Sequence, residues 1–271
     1  MSQEGFLSKN VSALTSALES VVLNEELAHK ASIIQRLDPR TKLFSFVLFI
    51  AVVGLARSLW ILGLILVLVL ALVLLARINP GFFGRRVLLF LPLSAIIALP
   101  ALFITPGDSL LQAGGKVIIT EQGLRTAGFL LLRVMDSVSL GLLLVLTTPW
   151  NSLLQAFRWF RVPPVIVDIL GMTYRYIFLL LHTANSMFLA RRSRSLGVFS
   201  GSENRRWLVR ALGTTLARTQ HLSEEVYLAM LARGYGGEIF ADVRLKFGKT
   251  DILWLATTLG LSAVILWSGY R

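Results

Sequence analysis

The run from Leu59 to Ala76, LWILGLILVLVLALVLLA, contains no charged residue. At 1.5 Å per residue it approaches the ~30 Å thickness of a bilayer's hydrocarbon core, so lipid is the solvent it fits. The stretch 43–56 (LFSFVLFIAVVGLA) precedes it with only Arg57 and Ser58 between, which predicts a tight hairpin. A third run covers 87–104 (VLLFLPLSAIIALPALFI), where Pro92 and Pro100 each remove a backbone donor and are expected to bend the helix. Residues 124–148 make a fourth span and 252–268 (ILWLATTLGLSAVILWS) a fifth. The composition agrees: 55% of residues are hydrophobic and 15% charged, with the charges gathered in blocks. The expected fold class is all-α, a polytopic membrane protein of about five transmembrane helices with long cytoplasmic helices inserted before the last.

The charge blocks set orientation, because Lys and Arg are retained on the cytoplasmic side. Arg36, Arg40 and Lys42 precede the first span and Arg77, Arg85 and Arg86 follow the second, while the loop 105–123 has Lys116 offset by Asp108 and Glu121. The N-terminus is therefore expected in the cytoplasm, 105–123 outside, 149–250 inside and Arg271 outside. The long inner segment holds twelve Arg and two Lys against six acids. The chain divides into a cytoplasmic N-terminal segment (1–42), transmembrane helices 1–4 (43–148), a cytoplasmic helical region (149–250), and a fifth span with the C-terminus (251–271). Residues 1–35 lack a signal peptide's apolar core and cleavage site, so they are expected to be retained. Within them Leu7, Val11, Leu14, Leu18, Val21 and Val22 recur at helical spacing, as in an amphipathic helix lying on the membrane or on a partner. The net charge of +12 is explained by topology, so the expected partner is the bilayer and not nucleic acid. With no cysteine, and with His29, His182 and His221 scattered, no metal site is expected on this chain.

Arg133 and Asp136 interrupt the fourth span three residues apart, on one side of the helix, where they would pair and limit the expense of charge near lipid. They fit a substrate or proton relay, or a structural pair facing other helices. The structural pair is favoured, because a bundle conducting through itself would show more intramembrane polar positions or interrupted helices in corresponding halves.

In the inner segment Pro163 and Pro164 predict a helix start, and the helix should run to about Ser195, roughly 50 Å. Its first half, VIVDILGMTYRYIFLLL, is apolar nearly all round apart from Asp168 and Arg175. A sixth span there would reverse the placement of the basic residues after it, so a helix lying along or beneath the membrane helices is preferred. A turn at GVFSGSE (197–203), with Ser200 and Glu203 spaced as a capping box, starts a second long helix. Leu208, Leu212, Leu216, Leu222, Val226 and Met230 give that helix an apolar stripe, and it should stop at Gly234. Each helix ends with an arginine between small residues: Arg194 between Ser193 and Ser195, and Arg233 between Ala232 and Gly234. Such exposed forks suit acidic grooves on a partner protein, while an arginine before glycine is also an ordinary cap that complements the helix dipole. No GxxxxGK[ST] phosphate loop, HExxH helix or GxSxG turn occurs, which argues against ATP binding and against the commoner hydrolases.

RLDPRTKL (36–43), MTYRYIFLL (172–180), SRS (193–195) and LARGYGG (231–237), the last within EEVYLAMLARGYGG, resemble the transmembrane coupling protein, or T component, of energy-coupling factor transporters, the EcfT/CbiQ family. The resemblance covers roughly residues 34–270. It implies that the long helices are coupling helices and that Ser193, Arg194, Ser195, Ala232, Arg233 and Gly234 contact two ATP-binding-cassette ATPase subunits. The first motif departs from the family pattern, with Ser193 and Ser195 where Ala and Gly are usual. The resemblance further implies a non-catalytic subunit with no cofactor of its own, ATP and Mg being bound by the ATPase partners. A separate membrane S component would bind the substrate, with a small accessory membrane subunit and a location in the bacterial inner membrane. The motifs look closest to the cobalt-type branch. Alternatives are a nickel or vitamin importer, a scaffold held on anionic lipid, and a lipid-modifying membrane enzyme.

Overall fold

The structure, a computed structural model, describes residues 32, 34–105, 109–113, 116–194, 201–237 and 247–270. The expected amphipathic segment at 7–22, Ser195, the capping position Ser200, and Arg271 lie outside these residues. The described residues form helices α1 (Pro39–Leu55), α2 (Leu59–Leu75), α3 (Pro80–Leu88), α4 (Leu91–Ile104), α5 (Glu121–Thr147), α6 (Trp150–Trp159), α7 (Pro164–Arg194), α8 (Gly201–Ala232) and α9 (Lys249–Tyr270). A short antiparallel hairpin, β1 (Ser109–Ala113) and β2 (Lys116–Thr120), sits between α4 and α5, in the connection expected to be a loop.

Local sequence accounts for the boundaries. Asp38 caps α1, its carboxylate accepting from the Arg40 N–H at 2.9 Å, and Pro39 sets the first helical φ. After α2 the chain turns at Arg77, whose φ of 53° is left-handed, with Ile78 N–H returning to the Val73 carbonyl at 3.2 Å. The third span is broken: α3 and α4 meet at 47°. Pro92 lies just past the break, where it has no N–H to offer the Leu88 carbonyl, whereas the helix continues through Pro100. Thr120 caps α5 by accepting from Gly123 N–H at 3.0 Å. A Cβ at Gly123 would stand 2.8 Å from the Leu102 carbonyl oxygen, so glycine lets the start of α5 pack on the end of α4.

All five expected spans fall on helices. Among the described helices α5, α7 and α9 are long and apolar enough to cross a membrane outright, and α3 with α4 qualifies as one bent span. The 17-residue α2 is apolar but short, about 25 Å long. That α7 qualifies is the point on which length and apolarity differ from the preferred sequence reading.

The described residues divide into two compact units, one within Phe157–Val243 and the other within Glu26–Ala156 and Arg244–Arg271. The second unit holds the apolar core. Phe46, Phe49, Val52 and Val53 of α1 pack with Leu62, Ile65, Val69 and Val73 of α2, Phe83 and Val87 of α3, Leu140, Leu143 and Leu146 of α5, and Ile265 of α9. The side chains turned away from this core stay apolar, Trp60 at 89% exposure being the extreme, as expected of lipid-facing surface. The first unit has a different character. In α8 the buried residue is Asn204, and in α7 the buried residues are Val167 and Asp168.

Candidate functional site

The tip at Arg233 is built by the end of α8. Ala232 is the last helical residue, and Gly234 takes φ 80°. Gly234 N–H returns to the Leu231 carbonyl at 2.9 Å and Tyr235 N–H to that of Met230 at 3.0 Å. This is the Schellman closure, and it needs a residue without Cβ strain at that position. Arg233 stands exposed in this closing turn, its position fixed by backbone bonds. The first tip is the last turn of α7. Arg192 and Arg194 are exposed there, and the Ser193 hydroxyl donates to the Leu189 carbonyl at 3.1 Å.

Arg191 is engaged differently. Its guanidinium donates to Asn204 Oδ1 at 2.7 Å and lies 4.5 Å from the centre of the Trp207 ring. Phe188 of α7 meets Trp207 edge-on at 4.9 Å. These contacts hold the end of α7 against the start of α8, so Arg191 fastens the elbow while Arg192 and Arg194 stay exposed. At the other end of α7 the Asp168 carboxylate accepts from Arg158 of α6 across the Pro163–Pro164 corner. Asp168 therefore belongs to an ion pair that its place in an apolar run gave no means of finding.

Arg133 and Asp136 are not brought together as a pair. Arg133 donates to the Ala56 carbonyl at 2.8 Å and stacks 4.6 Å from the Phe129 ring. Asp136 is 0% exposed, and neither of its carboxylate oxygens has a hydrogen-bond partner among the described residues. Ala56 closes α1, so its carbonyl lies among those a helix end leaves open, and the guanidinium takes it.

A polar knot at one face of the second unit was not singled out from the sequence, although RLDPRTKL supplies half of it. Asp251 Oδ1 accepts from the Asp38 N–H at 2.8 Å, and its Oδ2 accepts from Gly248 N–H at 2.8 Å. Lys42, 1% exposed, donates to the carbonyls of Gln35 at 3.1 Å and Thr147 at 3.0 Å. Trp254 Nε1 donates to the Ser45 hydroxyl at 3.0 Å, while Ser32 and Gln35 donate to the carbonyls of Leu75 and Ala76. Open carbonyls at the ends of α2 and α5 are thus met by side chains around the start of α1, which is also tied to the start of α9. The starts of α1 and α9 and the ends of α2 and α5 share one face, as alternating membrane crossings require. The available signal was Lys42 and Asp251 each standing at the edge of a long apolar run. Among the described residues no group of three or more His, Cys, Asp or Glu could hold a metal ion.

Residues 30–242 match the family model described as CbiQ, Cobalt transport protein. An uncharacterized protein of Methanocaldococcus jannaschii is 32% identical over 265 residues, covering 95% of this chain and 90% of that protein. The Cobalt transport protein CbiQ of Rhodobacter capsulatus is 31% identical over 69% of this chain and 77% of its own length. The Energy-coupling factor transporter transmembrane protein EcfT of Streptococcus equi is 27% identical over 87% of this chain and 90% of its own.

Proposed function

This chain belongs to the CbiQ cobalt transport protein family, the transmembrane components of energy-coupling factor transporters, and from that premise we propose that it carries the motion of two ATP-binding-cassette subunits to a separate substrate-binding membrane subunit. The observation that carries this reading is the placement of Arg194 and Arg233 exposed at the ends of helices of 31 and 32 residues, the second held by a backbone-bonded cap. A guanidinium presents a planar fork to a carboxylate, and a helix of this length transmits displacement of its tip as a rigid rod. ATP and Mg belong to the partners, and this chain's part is mechanical. The small residues Ser193, Ala232 and Gly234 leave room around the two arginines.

The basic residues at 36–42 and 77–86 support a cytoplasmic N-terminus, with the region 149–250 on the same side, in the cell's inner membrane. The apolar first half of α7 would then rest against the membrane. Exposed apolar side chains along both long helices, Ile169 and Ile177 on α7 with Leu228 and Leu231 on α8, offer surface to the substrate-binding subunit. The name of the Rhodobacter capsulatus relative favours cobalt as the cargo, with nickel the alternative.

Co-purification of the full complex tests the assignment. Arg194→Glu and Arg233→Glu should each release the ATPase subunits while the membrane fold, followed by circular dichroism, is unchanged. Retention of the ATPase by both variants would remove these arginines from the coupling role. Uptake of cobalt against nickel by the reconstituted complex assigns the cargo.

A further inference from the structure

We propose that the start of the broken third span, around Arg77 and Arg85, binds the phosphate headgroup of an anionic phospholipid. Between Asp38 and Asp108 the chain has no acidic residue, and Arg77, Arg85 and Arg86 follow α2 within that stretch. Arg77 and Arg85 are exposed and make no ion pair among the described residues, while Arg86 lies over the Phe82 ring at 4.3 Å. Guanidinium forks match phosphate oxygens, so two of them without a protein carboxylate can take an anion from outside. Arg77 also holds a φ of 53°. Glycine would relax that turn, so the turn's own geometry gives no reason for an arginine.

The place of Arg85 on its helix selects a lipid as the source of the phosphate. Phe83 and Val87 pack into the core, and Arg85, two positions from each, stands on the opposite side of α3. Leu88 and Leu89, three and four positions on, share the side of Arg85 and are exposed, Leu89 at 74%. The apolar row continues past the bend. Ser94 and Ala98 are the buried residues of α4, and Ile96, two positions from each, is exposed on the opposite side with Leu93 one turn before it. A row that runs from an unpaired arginine into leucine and isoleucine is ordered as a bilayer is, headgroup first and acyl chains after. It is also continuous with the lipid-facing surface of the same bundle. Arg77 follows the end of α2, at the face that carries the polar knot, so a headgroup held there would lie at the membrane's edge with its chains along Leu89, Leu93 and Ile96. This inference rests on the family's membrane setting and not on ATPase docking, and it uses neither arginine tip.

The chain has no cysteine, so Leu89→Cys gives a unique position for a bimane label within the row, and Trp60→Cys gives a reference label at the opposite end of α2. Each labelled full-length chain is placed in phosphatidylcholine vesicles carrying brominated phosphatidylglycerol, with brominated phosphatidylcholine at the same mole fraction as the control. Quenching at position 89 should show at least about fivefold higher apparent affinity for the anionic lipid, the size expected from one arginine contact at a membrane surface, and quenching at position 60 should show no preference. R77Q/R85Q should abolish the preference at position 89, and Arg85→Gln alone should lower it. Arg233→Glu, which tests the coupling reading, should leave it unchanged. Absence of a preference at position 89, an equal preference at position 60, or a preference undiminished in Arg85→Gln or in R77Q/R85Q with normal circular dichroism would overturn the proposal. Loss of the preference on adding millimolar inorganic phosphate would assign the arginines to free phosphate and overturn the lipid source.

Discussion

At the scale of single residues, the arginine tips and the polar knot make separate demands. Arg233→Lys keeps the charge but replaces a planar fork with a point donor, so ATPase retention by the complex should fall by about tenfold. Full retention would show that charge alone suffices. In the knot, Asp251→Asn keeps one acceptor oxygen and loses the other, leaving either the Asp38 or the Gly248 N–H open, at about 1–3 kcal/mol. Thermal unfolding in detergent should register that loss, and a wild-type midpoint would mean that the bond ties nothing. Gly234 could be read from the sequence because the physics is local: only a residue tolerant of positive φ ends a helix in this way. The partner of Arg133 could not. Spacing of three residues places Asp136 within reach, yet it says nothing of the carbonyl left open at Ala56 by the break at Arg57 and Ser58. A competitor from another helix is invisible to periodicity.

At the scale of elements, the boundaries of α7 and α8 followed from proline at one end and glycine at the other, and the break before Pro92 from its missing donor. The β1–β2 hairpin did not follow, because a short connection between spans carries little pattern beyond its polar residues. Packing of α4 on α5 was likewise hidden, since it depends on a close approach at Gly123 that no spacing rule marks. Gly123→Ala must push back either the Leu102 carbonyl or the Thr120 cap, and a loss of about 1–3 kcal/mol is expected, measured as a lower unfolding midpoint. Gly234→Ala strains the left-handed closing residue by about 1–2 kcal/mol. Because it leaves every charge in place, weakened ATPase retention in this variant would trace to the geometry of the Arg233 turn. Unchanged retention would show that the partner itself fixes the arginine.

For the whole molecule, the pattern of apolar runs and basic blocks was enough to give a polytopic all-α membrane protein, whereas the assignment to a transporter needed the family motifs. The sidedness of the bundle has a direct test. In sealed vesicles of inside-out orientation, trypsin should reach Arg192 and Arg233, and in right-side-out vesicles both sites should be spared; cleavage in the right-side-out preparation would reverse the proposed topology. The bond from Asp38 to Asp251 joins residues 213 positions apart. At a synthesis rate of about 5–20 residues per second, the first helix waits roughly 10–40 s on the ribosome for the carboxylate that receives its N–H. Until then the chain exposes an unfinished polar seam at the bilayer surface, so a nascent chain halted short of Asp251 is chemically distinguishable from a finished one and presents quality-control proteases with an open target.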